Sequence, residues 1–194
     1  ATGAEGLEIV LLSAGEIPHE LAAGRIHLGV TGEDLVREHI PRWSERLRLA
    51  AAMGFGHADL VVAVPAFWVD VETMADLDQV AAAFRRRHGR ALRIATKYHG
   101  LARQFFREKG VADYRLVDSQ GATEAAPKNR TAEAIVDITS SGETLRANHL
   151  RILGDGLILR SEAMLCVSRT ARWPDETAAR FAELAERLDL PPAG

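Results

Sequence analysis

Residues 134–145, Ala-Ile-Val-Asp-Ile-Thr-Ser-Ser-Gly-Glu-Thr-Leu, carry the types and spacing best suited to chemistry. A short apolar strand runs into Asp137, a loop of Thr139, Ser140, Ser141, Gly142, Glu143 and Thr144 follows, and a helix begins. A loop of this kind turns backbone N–H groups and hydroxyls toward one point at the positive end of a helix dipole, which seats a phosphate. Asp137 falls at the carboxyl end of its strand. A carboxylate there can accept hydrogen bonds from sugar hydroxyls or hold a hydrated Mg²⁺. An acid followed by such a loop is what a ribose 5-phosphate binder needs. No Gly-Lys-Ser/Thr follows, so the loop is not a Walker A loop. Ser, Thr and Gly also cap helices and permit tight turns, and on this segment alone that plainer reading stays open.

The elements that must position these residues follow from hydropathy patterning. Strands are expected at residues 7–12, 26–30, 58–64, 92–96, 114–117, 134–138, 157–160 and 163–167. Helices are expected at 17–23, from Thr31-Gly32-Glu33-Asp34 onward, and at 74–88, 101–109 and 175–188, several of them stopped by glycine. Alternating strands and helices indicate an α/β chain with largely parallel sheets. The polar break His88-Gly89-Arg90 divides two such sets. In open α/β sheets ligands bind at the carboxyl ends of strands and in crevices between domains, where both Asp137 and residues 31–34 fall.

The bulk properties exclude several classes. With 47% hydrophobic and 26% charged residues in 194, the chain is an ordinary globular one. Its net charge of −3 gives no reason to expect nucleic acid as a partner. Arg85-Arg86-Arg87-His88 closes a helical pattern, where basic residues complement the dipole. The single cysteine, Cys166, excludes an internal disulfide and a multi-thiolate zinc site, and its apolar neighbours mark it as a small core residue. The histidines show no metal-ligand spacing, and no metal-ligating residues are assigned. No apolar run approaches a membrane span and no signal-peptide pattern opens the chain, so neither a membrane nor secretion is expected, and the expected location is the cytoplasm.

Several stretches in order resemble the catalytic chain of the ATP phosphoribosyltransferase family, from about residue 7 to residue 170. They are Ile17-Pro18; Gly24-Arg25-Ile26-His27-Leu28-Gly29-Val30-Thr31-Gly32-Glu33-Asp34; Met53-Gly54-Phe55-Gly56 with 58–65; Ile94-Ala95-Thr96-Lys97-Tyr98; Gly121-Ala122-Thr123-Glu124 with Ala126-Pro127; 135–145 with Ala147-Asn148; and Ser161-Glu162-Ala163. The resemblance implies an α/β, two-domain, periplasmic-binding-protein-like fold with a cleft between domains. Domain I would take residues 1–89, completed by 169–194, and domain II, 90–168, would bind phosphoribosyl pyrophosphate (PRPP).

The implied reaction, with Mg²⁺ as cofactor, is attack of adenine N1 of ATP on C1 of PRPP, with release of pyrophosphate, the first step of histidine biosynthesis. On this resemblance Thr139 to Thr144 seat the 5-phosphate and Asp137 holds the ribose hydroxyls. Glu124 faces the ribose or the adenine amino group, Lys97 is the best-placed cation, and Gly32 and Asp34 add contacts from domain I. Plainer roles remain for each: Glu124 as a first-turn helix acid, Lys97 as a surface lysine, Gly32 and Asp34 within a capping turn. Arg25, Arg103, Lys128 and Arg130 are weaker cation candidates.

Family members open with a further strand and a glycine-containing basic loop, on the order of 30–40 residues with their flanks, which this sequence does not include. Its end matches the short form, which works with a separate regulatory subunit resembling histidyl-tRNA synthetase; a homodimer within a hetero-oligomer is expected. Three rival readings stand beside this one. They are a solute-binding protein of the same fold acting without chemistry, a phosphoribosyltransferase for another base, and a catalytically silent partner or fragment.

Overall fold

A computed structural model describes residues 7–119, 121–187 and 190. The chain forms two compact units, one from Ala1–Gly56 with Glu162–Gly194 and the other from His57–Ser161.

In the first unit, β1 (Leu28–Gly32) and β2 (Leu47–Ala52) flank β8 (Ala163–Ser168) in a three-stranded sheet, antiparallel throughout. The central strand β8 alternates between two small cores. Cys166 packs with Leu21 and Ala22 of α1 (Glu16–Ala22), Val36 of α2 (Glu33–His39), and Leu47. On the other face Leu165 and Val167 meet Ala50, Trp173 and Phe181, the last on α7 (Asp175–Arg187). Burial pushes the Cys166 thiol up to about 12, with the Glu33 charge adding to it, so this is an inert core thiol. A one-turn helix, α3 (Trp43–Arg46), precedes β2.

In the second unit five strands lie in the order β5-β4-β6-β3-β7: β3 (Ala58–Pro65), β4 (Leu92–Thr96), β5 (Tyr114–Asp118), β6 (Ala134–Thr139) and β7 (Leu150–Ser161). Only β4 runs parallel to its neighbours β5 and β6; β3 is antiparallel to both β6 and β7. One face carries α4 (Met74–His88), which contacts β4 and β7, and α5 (His99–Glu108), which contacts β7. The other face gathers Val61, Ala63, Ala95 and Ile135 under Ala126, Ala132, Leu145 and Leu150. Thr73 and Asp76 form a reciprocal capping box at the start of α4. Asp155, at an irregular point of β7, accepts from the Met74 N–H at 2.8 Å and from Lys109 Nζ at 2.9 Å, which pins both helices to the sheet.

Several expectations are corrected. Residues 7–12 are not a strand: they have no regular structure, and Leu11 is 93% exposed. The sheets are not largely parallel. The expected boundary at 89 falls at 56/57, because β3 hydrogen-bonds to β6 and β7, and the second falls at 161/162, because β8 pairs with β1 and β2. The expected strand at 157–160 is the end of a 12-residue strand that passes through Gly154-Asp155-Gly156 with register shifts. Glycine inside a strand marks such irregularity. Position 188, expected to end the last helix, lies outside the described residues.

An ion-pair clasp ties β4 to the start of β6. Glu133 accepts from the Arg93 backbone N–H at 2.8 Å, from Arg93 Nη2 at 2.8 Å and from Arg90 Nη2 at 3.1 Å. Burial alone would raise this carboxyl, but those donors prevail and hold it at about 2. A carboxylate depressed in the fold adds stability above its unfolded pKa and loses it as pH falls toward the folded value. Glu133→Gln should therefore be destabilised by about 1 kcal/mol at pH 7 after solvent screening. In thermal melts followed by circular dichroism the gap should close between pH 4.5 and 2; a gap that is independent of pH would refute the clasp.

Candidate active site

Strand β6 changes character along its length. Ala134, Ile135 and Val136 are wholly inaccessible, and then Asp137 and Thr139 continue the same alternation on the face of Ile135. The face that is core at Ile135 is therefore polar two residues on. The parallel register sets Ala95 opposite Ile135, so Lys97, just past β4, stands level with Asp137. Lys97 is exposed, and its charge favours the ionised form of Asp137.

A pocket of about 340 Å³ opens at this point, lined by Glu124, Asp137, Thr139, Ser140, Ser141 and Thr144, with Ala58, Ile138 and Leu145 as apolar walls. Glu124 sits on a 3₁₀ turn, Thr123–Ala125, that packs on β6. Leu145 and Ala126 anchor the two lips of the pocket in the core cluster beneath.

The loop is held by its own side chains. Thr139 Oγ1 accepts from the Gly142 N–H at 2.9 Å, and Ser141 Oγ from the Glu143 N–H at 3.3 Å. Gly142 has φ 72°, the left-handed region that favours glycine. The helix that follows, α6 (Glu143–Ala147), has only five residues. Its dipole is correspondingly small.

Burial, and after it the charge of Glu124, push the Asp137 carboxyl above the usual carboxylate range, outweighing the Ile138 N–H, Lys97 and the Thr123 hydroxyl. Thr123 is 2% exposed, and its Oγ1 donates to Ser119 Oγ at 2.8 Å, so a buried threonine beside Asp137 is tied to a half-buried serine. Sequence reasoning did not single out Thr123 or the Ala58 wall. Thr123 stood within a quoted motif, but its burial comes from the 3₁₀ turn folding onto β6.

Glu124, Asp137, Thr139, Ser140, Ser141 and Thr144 come together. Gly142 and Glu143 shape the loop without lining the pocket. Gly32 and Asp34 belong to the other unit. Asp34 is 7% exposed at the start of α2, and a Cβ at position 32 would collide with its Oδ1, so this pair builds a tight turn at the end of β1. Arg25 is paired with Glu20 at 2.5 Å, while Lys128 and Arg130 line a different pocket. Among the described residues no group of three or more His, Cys, Asp or Glu could hold a metal ion by itself, and no helix is long and apolar enough to cross a membrane.

Solved proteins of similar fold include a putative L-cystine ABC transporter protein from Listeria monocytogenes. It matches with TM-score 0.54 and 12% identity over 90% of this chain and 69% of that one. The fold class is thus the two-domain α/β fold of the periplasmic binding proteins. An ATP phosphoribosyltransferase complex (HisG:HisZ) from Thermotoga maritima shares it with TM-score 0.65, at 22% identity over 92% of this chain and 75% of that one. The ATP phosphoribosyltransferase of Cereibacter sphaeroides is 66% identical over 189 residues, 97% of this chain and 80% of that protein. The family profile of ATP phosphoribosyltransferase matches residues 13–189. The chain belongs to the ATP phosphoribosyltransferase family, transferases of the first step of histidine biosynthesis.

A carboxyl whose pKa is raised by folding is costly to ionise in the fold, and the cost grows as pH rises from the unfolded toward the folded pKa. Asp137→Asn should therefore melt at a higher temperature than the parent at pH 7. The difference should vanish as pH falls below about 4, the ordinary aspartate range. A lower melting temperature for the variant at pH 7 would contradict the account of this acid.

Proposed function

We propose that this chain binds PRPP in the pocket at the end of β6 and transfers its phosphoribosyl group to N1 of ATP, releasing pyrophosphate. The observation that supports this most is the single pocket uniting the 139–144 loop with Asp137 and Glu124. The loop's hydroxyls and a left-handed turn of the kind found in anion-binding loops suit the dianionic 5-phosphate, and Asp137, one short strand step away, suits the ribose hydroxyls. As the C1–O bond to pyrophosphate breaks, positive charge grows on the ribose and negative charge on the leaving group. Paired carboxylates beside the sugar stabilise the first, and Lys97 is assigned to the second. Adenine N1 already carries a lone pair, so no strong base is needed; catalysis is positioning plus electrostatics. Glu124, free of the sheet, is assigned to the ribose edge or the adenine amino group.

The donor set at the pocket, two carboxylates and several hydroxyls, is all hard oxygen. That fits Mg²⁺, which usually takes one or two carboxylates and completes its shell with water and substrate phosphates. Asp137 and Glu124 would hold it, and when bound it would neutralise charge on the pyrophosphate. Gly32 and Asp34 are assigned the β1–α2 turn, and substrate contact from them rests on the resemblance. The reading places the chain in the cytoplasm with its phosphorylated substrates. It also makes it a catalytic chain working as a homodimer within a hetero-oligomer with a regulatory subunit resembling histidyl-tRNA synthetase. In support, the Thermotoga maritima protein of this fold was solved as a HisG:HisZ complex.

Calorimetric titration of PRPP with Mg²⁺ should show saturable binding to the parent and none to a folded Gly142→Asp variant, whose side chain strains the left-handed turn that shapes the loop and adds a negative charge to it. Asp137→Asn should bind PRPP more weakly and lose pyrophosphate release by about 100-fold or more, the scale of removing one preorganised electrostatic group. Binding that survives Gly142→Asp would move the phosphate elsewhere. PRPP binding without pyrophosphate release in the presence of ATP would favour a solute-binding role.

A further inference from the structure

The Lys128-Asn129-Arg130 loop, left unused by the phosphate site, lines a second pocket of about 500 Å³ in the same unit. Its walls are apolar and aromatic: Pro65, Phe67, Trp68, Pro127, Ala132 and Leu150. Arg90, Arg93, Lys128, Arg130 and His149 also line it, with Glu133 as the one acid, already satisfied by Arg90 and Arg93. A surplus of positive charge in a chain of net charge −3 is a local feature, not a reflection of composition.

The pocket is built rather than incidental. Arg130 and His149 both hold positive φ, 57° each, a conformation that non-glycine residues rarely adopt. Arg93 donates to the Arg130 carbonyl at 2.9 Å, and the His149 carbonyl accepts from the Ala66 N–H at 2.7 Å, so each strained residue is fixed from outside its own turn. Arg151 donates to the carbonyls of Trp68 and Val71 at 2.6 and 2.5 Å, holding the aromatic segment in place while Phe67 stays 76% exposed. Backbone strain maintained by such contacts concentrates at ligand sites, and a mostly apolar cavity of this size with a few convergent polar groups is the form of a small-molecule site.

We propose that this pocket binds a flat aromatic ring carrying a phosphate, of the class of a purine nucleoside monophosphate, as a site separate from the 139–144 loop. The ring stacks at Trp68 and Phe67, and the phosphate is met by Lys128 and Arg130. Glu133, just before β6, and Asp137 within it lie four residues apart, about 13 Å at the usual strand rise, and the core cluster holding Leu145 on one side and Leu150 on the other separates the two pockets.

Trp68 is the tryptophan of this unit, Trp43 and Trp173 lying in the other, so its fluorescence reports the site. Titration with guanosine monophosphate should quench the emission saturably, with guanosine and inorganic phosphate each at least 10-fold weaker. The quench should be lost in Trp68→Phe and weakened at least 10-fold in Lys128→Glu with Arg130→Gly, the glycine preserving the left-handed backbone. It should persist in Gly142→Asp, with circular dichroism confirming that each variant is folded. Absence of saturable quenching in the parent overturns the proposal. So does quenching that is abolished by Gly142→Asp yet untouched at Lys128 and Arg130, which would place the nucleotide on the phosphate loop.

Discussion

Strand β6 is hydrogen-bonded on one side to β3 and on the other to β4, and its first three residues are sealed from solvent on both faces. That double pairing fixes the direction in which every later side chain of the strand points. Once Ile135 is committed to the core, Asp137 and Thr139 must emerge on the same face two and four residues later, and the loop must begin there. The 3₁₀ turn bearing Glu124 and the short α6 are both anchored in that same core patch through Ala126 and Leu145. A one-residue slip of β6 would send the acid to the opposite face and leave the loop without a floor.

The cost of this arrangement is concentrated in Asp137. The same burial that orients it raises its pKa, and a second carboxylate across the pocket raises it further. A fold selected for stability alone would place an amide or an aliphatic residue there. Keeping an acid in that position is intelligible when a sugar developing positive charge, or a cation, is to be met at that spot. Glu133, at the other end of the strand, shows the contrast: a carboxylate surrounded by arginine donors, depressed to about 2, that tightens the sheet.

The sequence was most legible where one strand or helix carries its own signal. The buried run of β3, the periodic α4 ended by Gly89, and the passage from apolar β6 to the hydroxyl-rich loop were all visible in order and type. What was illegible depends on partners. Leu47 to Ala52 is alanine-rich with no strand propensity, and becomes β2 only because β8 pairs with it. Residues 7–12 have strand composition but no strand beside them among the described residues. Gly154 and Gly156 look like a turn and prove to be an irregularity inside β7. Alternating elements also suggested parallel sheets, whereas β3 runs against both neighbours, which moved the unit boundary by some thirty residues. Within the site, Asp137 and its loop could be read from residue types; Thr123 could not, because a threonine at a turn acquires its role only when that turn is buried on the strand.

The central claim is that a sugar phosphate rests on the 139–144 loop with its ring over Asp137. Isotope-labelled protein titrated with ribose 5-phosphate, followed by backbone amide chemical shifts, addresses it without needing a second substrate or a partner. The account predicts that the amides of residues 140–144 and of Ile138, which donates to Asp137 Oδ1 at 2.9 Å, move most and saturate together. Amides of that loop that stay fixed while others in the protein saturate with ribose 5-phosphate would contradict it.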